Sequence, residues 1–358
     1  MSAQPPLLEV RNLRVWYPVR RGVLARTVDH VRAVDGVNLT LDPGETLGVV
    51  GESGCGKSTL ARAILRLEQP RAGEILLDGR DVLRLRGRAL QAYRRDVQAV
   101  FQDPLASLNP RQTILDQLTE GALVQGLLQP AAARAFARNL LQDVGLGPEA
   151  LDRYPHAFSG GQRQRICIAR ALALNPRLLI CDEAASALDL SVRAQVLNLL
   201  AELRSRRQLA YLFITHDIGV VQHIADRIAV MYLGKIVELG PAEIVLAAPA
   251  HPYTRLLLSS VPRVGNSRRA EVSMQKSAIR QTVGQSDSQA VQPPNNEERS
   301  HPPSAVLRPP TACPFAPRCP LAFDRCRQEA PELSPAGGVS APHGAACFRS
   351  RPPDLRDR

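Results

Sequence analysis

Gly51-Glu52-Ser53-Gly54-Cys55-Gly56-Lys57-Ser58-Thr59 follows the apolar run Thr46–Val50 and precedes Leu60-Ala61-Arg62-Ala63-Ile64-Leu65. The segment therefore reads as a strand, a glycine-rich turn and a helix. Glycines 51, 54 and 56 let the backbone wrap so that its N–H groups point inward at an anion, and the new helix adds its positive N-terminal end. Lys57 is placed to reach the β- and γ-phosphates of a nucleotide, and Ser58 to offer its hydroxyl to Mg²⁺. The competing reading, a chance glycine-rich turn, has no use for the strand before and the helix after.

Around this cradle the chain has 358 residues, enough for one large α/β domain and a smaller appendage. A formal net charge of +11 and a pI near 9.8 suit nucleic acid, an anionic membrane surface or simple solubility, so charge alone does not choose. No apolar run approaches the ~20 residues that span a bilayer. The start, Met1-Ser2-Ala3-Gln4-Pro5-Pro6, lacks the basic and apolar regions of a secretory signal. The expectation is a chain in the cytosol, or docked on a membrane by other subunits.

Leu7–Tyr17 and Val31–Leu41 alternate apolar and polar residues as half-buried antiparallel strands do, with Pro18–His30 between them read as a basic surface loop. The region from about 103 to 165 turns helical, and the α/β alternation resumes at Leu178–Asp182, Val192–Arg204, Tyr211–Thr215 and Arg227–Leu233. Alternating β and α elements imply a mainly parallel sheet with ligands at the carboxyl ends of its strands. The expected organisation is a nucleotide-binding domain over 1–262, a polar, flexible linker over 263–310 and a cysteine-containing extension over 311–358.

Asp182 and Glu183 end an apolar strand, which in a phosphate-cradle fold brings them beside the terminal phosphates. Asp182 suits holding Mg²⁺, and Glu183 suits polarising the attacking water. A second anion-seeking segment, Phe158-Ser159-Gly160-Gly161-Gln162, stands at the start of the helix Ile166–Leu174. Taken singly, Ser159 is an ordinary helix cap.

Cys55, Cys167 and Cys181 are dispersed and read as filling a loop, a helix face and a buried strand. Cys313, Cys319, Cys326 and Cys347 instead cluster as C-x5-C-x6-C-x20-C. Disulfides are disfavoured in a cytosolic chain, so the four thiolates point to a zinc site, an iron–sulfur cubane or reduced free thiols.

The order of these segments resembles the ATP-binding cassette (ABC) family, whose signature is the Ser159-Gly160-Gly161-Gln162 sequence. The resemblance covers roughly Leu7–Pro262. It implies an ABC-type P-loop α/β fold with a mainly parallel sheet, an antiparallel β subdomain and a helical subdomain. It further implies that Tyr17, or its neighbour Trp16, stacks on adenine. Gln102 in Phe101-Gln102-Asp103-Pro104 would sense Mg²⁺ and contact membrane subunits. Asp189 in Ser186-Ala187-Leu188-Asp189 would cross a dimer interface, and His216 would hold the γ-phosphate. Ser159, Gly160, Gly161 and Gln162 would close on a nucleotide held by a second ATPase subunit.

Closer phrases, Ser53–Ser58, Phe101–Arg111 and His251-Pro252-Tyr253-Thr254-Arg255-Leu256-Leu257, resemble the ATPase subunits of oligopeptide and dipeptide permeases. The basic loop resembles an insertion in the second, F-type ATPase of such systems. That resemblance implies ATP and Mg²⁺, hydrolysis by Glu183 and His216, a heterodimeric ATPase pair, two membrane permease subunits and, indirectly, an extracytoplasmic solute-binding protein. It places the chain peripherally on the cytoplasmic face of the inner membrane, with no direct contact to solute or nucleic acid. It also implies a [4Fe–4S] cluster on the four terminal cysteines, with zinc as the alternative. One departure is Ala184, where the family usually has proline. The cysteine cluster is expected to clasp the tail and take no part in hydrolysis, because the polar linker separates it from the cassette and nothing near it resembles a nucleotide site. The alternative function is a soluble ABC ATPase acting on nucleic acid or ribosomes, but such proteins typically carry long coiled-coil insertions or two cassettes.

Overall fold

A computed structural model describes residues 5–21, 26–186, 188–260, 312–336 and 343–350. The expected linker, Ala187 and the residues after 350 lie outside them. Strand β3 (Thr46–Val50) is buried at every position, as expected of a strand covered on both faces. It pairs in parallel with β8 (Ala210–Thr215) on one side and β9 (Arg227–Tyr232) on the other. β7 (Leu178–Asp182) and β6 (Val97–Val100) continue the parallel run beyond β8. Parallel pairing sets the carboxyl ends of β3, β7 and β8 side by side, so the residues that follow them converge on one edge.

On the far side of β9 the sheet turns antiparallel through β10 (Lys235–Pro241) and β12 (Gly344–Ala345), ending at β11 (Ser334–Pro335). The sheet is thus mixed, parallel from β6 to β9 and antiparallel beyond. Helix α8 (Ile218–Ile224) lies so close to β3 that a Cβ at Gly48 would stand 2.2 Å from Val221 Cγ1. No larger residue fits there without moving the helix.

A second, antiparallel sheet of four strands contains β2 (Arg26–Leu41), β1 (Leu8–Arg21), β4 (Ala72–Leu77) and β5 (Arg80–Asp81). Its inward residues, among them Leu8, Val10, Leu13 and Val34, share one core with β3 and α1 (Lys57–Ile64). Here the sequence reading needs correction. Residues expected as a surface loop continue both strands as a hairpin, with Pro18 opposite His30, Val19 opposite Asp29 and Arg20 opposite Thr27. This part of the hairpin is solvated on both faces, so the alternation that marks a half-buried strand is missing.

The helical region comprises α3 (Pro104–Ser107), α4 (Ile114–Val124), α5 (Ala133–Asp143) and α6 (Gly160–Leu172). α4 begins with a capping box: the Thr113 hydroxyl accepts from the Asp116 amide at 3.2 Å, and the Asp116 carboxylate accepts from the Thr113 amide at 3.2 Å. Leu118, Leu140, Leu141 and Ile166 join these helices in a core that continues to α7 (Leu190–Arg207).

Candidate functional site: a phosphate cradle held from two sides

The cradle leaves β3 at Gly51 and enters α1 at Gly56, two positions where only glycine fits. A Cβ at Gly51 would stand 2.2 Å from the Met231 carbonyl oxygen, and one at Gly56 would stand 1.9 Å from that of Ala33. Gly56 also has φ +111°, a left-handed backbone that L side chains rarely adopt. Ser53 and Gly54 form the exposed tip. Lys57 is 5% exposed, and its ammonium donates to the carbonyls of Gly51 at 2.8 Å and Glu52 at 2.9 Å. A buried cation is thus fixed at the mouth of the loop by the loop's own backbone. Cys55 packs beneath, as the sequence suggests, with its thiol pushed up by burial.

The acidic side of the site comes from β7. Ser58 Oγ donates to Asp182 Oδ1 at 3.0 Å, joining the helix start to the strand end. Burial raises the Asp182 carboxyl above its ordinary value, and the Ser58 hydrogen bond opposes that rise. Two hard oxygen donors held this close suit Mg²⁺, which takes few protein ligands and keeps the rest of its shell for water and phosphate.

Glu183 follows with φ +51°, an uncommon conformation for a residue with a side chain, and its amide donates to Ile214 O at 2.9 Å. This turn aims the carboxylate at His216, whose Nδ1 lies 3.0 Å from Glu183 Oε1. Ser186 Oγ bonds the Glu183 carbonyl at 2.9 Å and lies 3.3 Å from Oε2. A carboxylate, an imidazole and a hydroxyl are therefore connected at the ends of two adjacent strands. Ala184, in the place of the usual proline, is buried at 2% exposure.

Other expected residues stand on other elements, outside the hydrogen bonds of this cluster. Gln102 is exposed after β6, and the α3 segment beyond it docks on α6 through Cys167 and Arg170. Ser159 is the N-cap of α6, with its hydroxyl accepting from the Gln162 amide at 3.3 Å and its own amide donating to Gln162 Oε1 at 3.0 Å. Gly161 packs on α7, where a Cβ would stand 2.4 Å from Val192 Cγ1. Ser159, Gly160, Gln162 and Asp189 are all exposed.

Of the two aromatics, Trp16 is covered by guanidinium groups, Arg32 at 4.2 Å and Arg71 at 4.9 Å from its ring centre. Tyr17 packs against the core that contains Cys55 and Leu60.

The C-terminal residues overturn one expectation. The cysteine segment is next to the phosphate cradle, because a long linker sets chain separation and not spatial distance. β12 pairs with β10, and His343 Nε2 lies 2.8 Å from the fully buried Glu238. Phe315, 1% exposed, packs against Tyr232, Tyr253 and His251 at centroid distances of 5.4, 5.5 and 5.7 Å. Arg318 then reaches Glu52 of the cradle, each terminal nitrogen donating to one carboxylate oxygen at 2.9 Å. Sequence reasoning missed Arg318 and Phe315, which stand in no recognisable pattern, and it placed Tyr232 in a strand without its contact to Phe315.

Cys313, Cys319, Cys326 and Cys347 line one narrow cavity with Phe315 and Phe348. Among the described residues no group of three or more His, Cys, Asp or Glu stands ready to hold a metal ion. The expected iron–sulfur cluster is therefore not supported by ligand geometry; the structure retains only the shared cavity.

Comparison with known proteins agrees with this geometry. Residues 34–186 match the ABC transporter family, and residues 237–285 and 288–326 match the oligopeptide/dipeptide transporter C-terminal region. The chain is 47% identical to the probable peptide ABC transporter ATP-binding protein y4tS of Sinorhizobium fredii, over 95% of this chain and 92% of that one. It is 56% identical to the glutathione import ATP-binding protein GsiA of Escherichia coli K12 over 74% of its own length, and that match spans 42% of the longer relative. Among solved structures, the ABC cassette MJ0796 bound to ADP and Pi superposes with a TM-score of 0.58 at 29% identity, covering 66% of this chain and 98% of that one. The chain belongs to the ATP-binding proteins of ABC transporters. It is an ATPase of that family.

Proposed function

We propose that this ATPase powers the uptake of di- or oligopeptides as one member of an ATPase pair on the cytoplasmic face of the inner membrane. The observation that carries the solute class is the match of residues 237–326 to the oligopeptide/dipeptide transporter C-terminal region. The relatives described above are transporter subunits, which favours this reading over a nucleic-acid or ribosome role. In this reading the solute path belongs to two permease subunits and an extracytoplasmic binding protein; among the described residues no helix is long and apolar enough to cross a membrane.

In this reading Tyr17 stacks on adenine, and the amides of Gly51–Thr59 with Lys57 hold the phosphates. Ser58, Asp182 and Gln102 would hold Mg²⁺, which would supply positive charge to the phosphates. Glu183 takes a proton from the attacking water. His216 stands with Nδ1 against Glu183 Oε1, which leaves its other nitrogen to face the γ-phosphate. Ser159, Gly160, Gly161, Gln162 and Asp189 serve a nucleotide held by the partner, which accounts for the exposure of all but Gly161. Closure of the pair on ATP and its release after hydrolysis would move the permease subunits between two states.

The permeases fit the groove lined by Leu67, Phe101, Gln117, Glu120, Val124 and Leu174. Leu67 at 62% and Val124 at 81% exposure place apolar side chains on that surface. For the four cysteines we retain an iron–sulfur cluster, with zinc as the alternative, on the chemistry of four thiols around one cavity. Co-expression and affinity purification test the partner assignment. Recovery of a second ATPase and two permeases in a stable complex supports it, and a chain that purifies alone or with nucleic acid refutes it.

A further inference from the structure

Three polar groups of one cradle residue, Glu52, are taken by three different parts of the chain. Its carbonyl accepts from Lys57 at 2.9 Å. Its amide donates at 2.9 Å to the hydroxyl of Tyr253, a fully buried residue of α10 (Pro252–Ser259). Its carboxylate accepts two parallel hydrogen bonds from Arg318, in the turn just ahead of Cys319. Arg318 is itself held, with the Tyr232 ring centre 6.0 Å from its guanidinium carbon and Phe315 docked against both Tyr232 and Tyr253. The glutamate raises the Arg318 guanidinium, as a bound carboxylate does.

We propose that Arg318 is a positioning residue for ATP: through Glu52 it fixes the phosphate loop and the Lys57 ammonium, making the C-terminal cysteine segment part of the nucleotide site of its own chain. A phosphate loop works by presenting amides in a set direction, and a loop left free must lose conformational entropy when the nucleotide binds. Gripping Glu52 from behind removes part of that loss beforehand. The two-pronged geometry matters, because a guanidinium fixes the plane of a carboxylate whereas an ammonium fixes only a distance. The pair is half exposed, 47% for Arg318 and 41% for Glu52. Its contribution to global stability is correspondingly small, and its effect is expected in ligand affinity.

The inference rests on reading residues 51–59 as the phosphate site. The experiment is equilibrium binding of a fluorescent ATP analogue to the purified full-length chain. Arg318→Ala is expected to weaken binding about fivefold at low salt, the scale of a well-formed exposed ion pair, and the deficit shrinks at high salt as the pair is screened. Arg318→Lys recovers only part of the loss. Glu52→Gln matches Arg318→Ala, and the double variant binds no worse than either alone. The exchanged pair Arg318→Glu with Glu52→Arg regains affinity. Unchanged affinity in Arg318→Ala, losses that multiply in the double variant, or a salt-independent deficit would overturn the proposal. Lys57→Ala separates the two levels: it abolishes binding if the site is correct, and retained affinity there refutes the phosphate-site reading itself.

Discussion

Replacing Glu183 by glutamine changes one charge and almost nothing else. The new side chain keeps an oxygen to face His216 Nδ1 at 3.0 Å, and the φ +51° turn and the amide bond to Ile214 are backbone features that the substitution leaves alone. Lys57, Ser58 and Asp182 are untouched, so the phosphate and metal contacts proposed for them are expected to persist. What disappears is the base for the attacking water. Loss of a positioned base costs roughly 10²-fold or more in turnover, which is about 2.7 kcal/mol of activation free energy. ATP affinity is expected to stay within about twofold, a difference of only about 0.4 kcal/mol. The assay is single-turnover hydrolysis with the ATPase pair, run beside equilibrium ATP binding. Turnover near the wild-type rate would refute the assignment of Glu183. A parallel loss of affinity would show that the carboxylate acts on binding and not on water.

Three further outcomes follow from other parts of the structure. In a mixed pair, Ser159→Arg is expected to disable the nucleotide held by the partner's cradle; damage to the nucleotide of the mutated chain's own cradle would contradict head-to-tail pairing. His251, 1% exposed, is pushed down to about 4 by burial, against an ordinary value near 6.5. Its neutral form is the one the fold accepts, so stability is complete above about pH 6.5 and declines as pH falls toward 4. The loss is about 2 kcal/mol at pH 5, and urea melts of His251→Asn should show a smaller drop between pH 7 and 5. An equal drop in both proteins would remove His251 from the account. Anaerobically purified protein is expected to carry iron and sulfide, with a visible absorption lost in Cys313→Ser, Cys319→Ser. Stoichiometric zinc without iron would replace the cluster by a zinc clasp, and metal-free protein would remove both.

The parts of the fold legible in the sequence were those where local pattern and burial coincide. Apart from Thr46 and Asp182 at their ends, β3 and β7 are apolar because both faces are covered, and the glycine turn after β3 has a spacing that few other structures require. Glu183 could be placed by the strand that ends at Asp182, whereas its contact with His216 depends on β7 and β8 lying side by side. The hairpin beyond Pro18 was hidden because it buries neither face. Arg318 was hidden for a different reason. It is one of many arginines in a basic chain, and only the docking of Phe315 and β12 brings it to Glu52. Contacts across so long a chain separation leave no periodicity to read.

Peptide uptake into vesicles that contain the assembled transporter, with ATP supplied on the ATPase side, tests the central claim most directly. The account predicts uptake that requires ATP and the peptide-loaded binding protein, hydrolysis that rises when that protein is added, and loss of both with Glu183→Gln in this chain. Hydrolysis indifferent to the binding protein and peptide, or uptake that persists at the wild-type rate with Glu183→Gln, would contradict it.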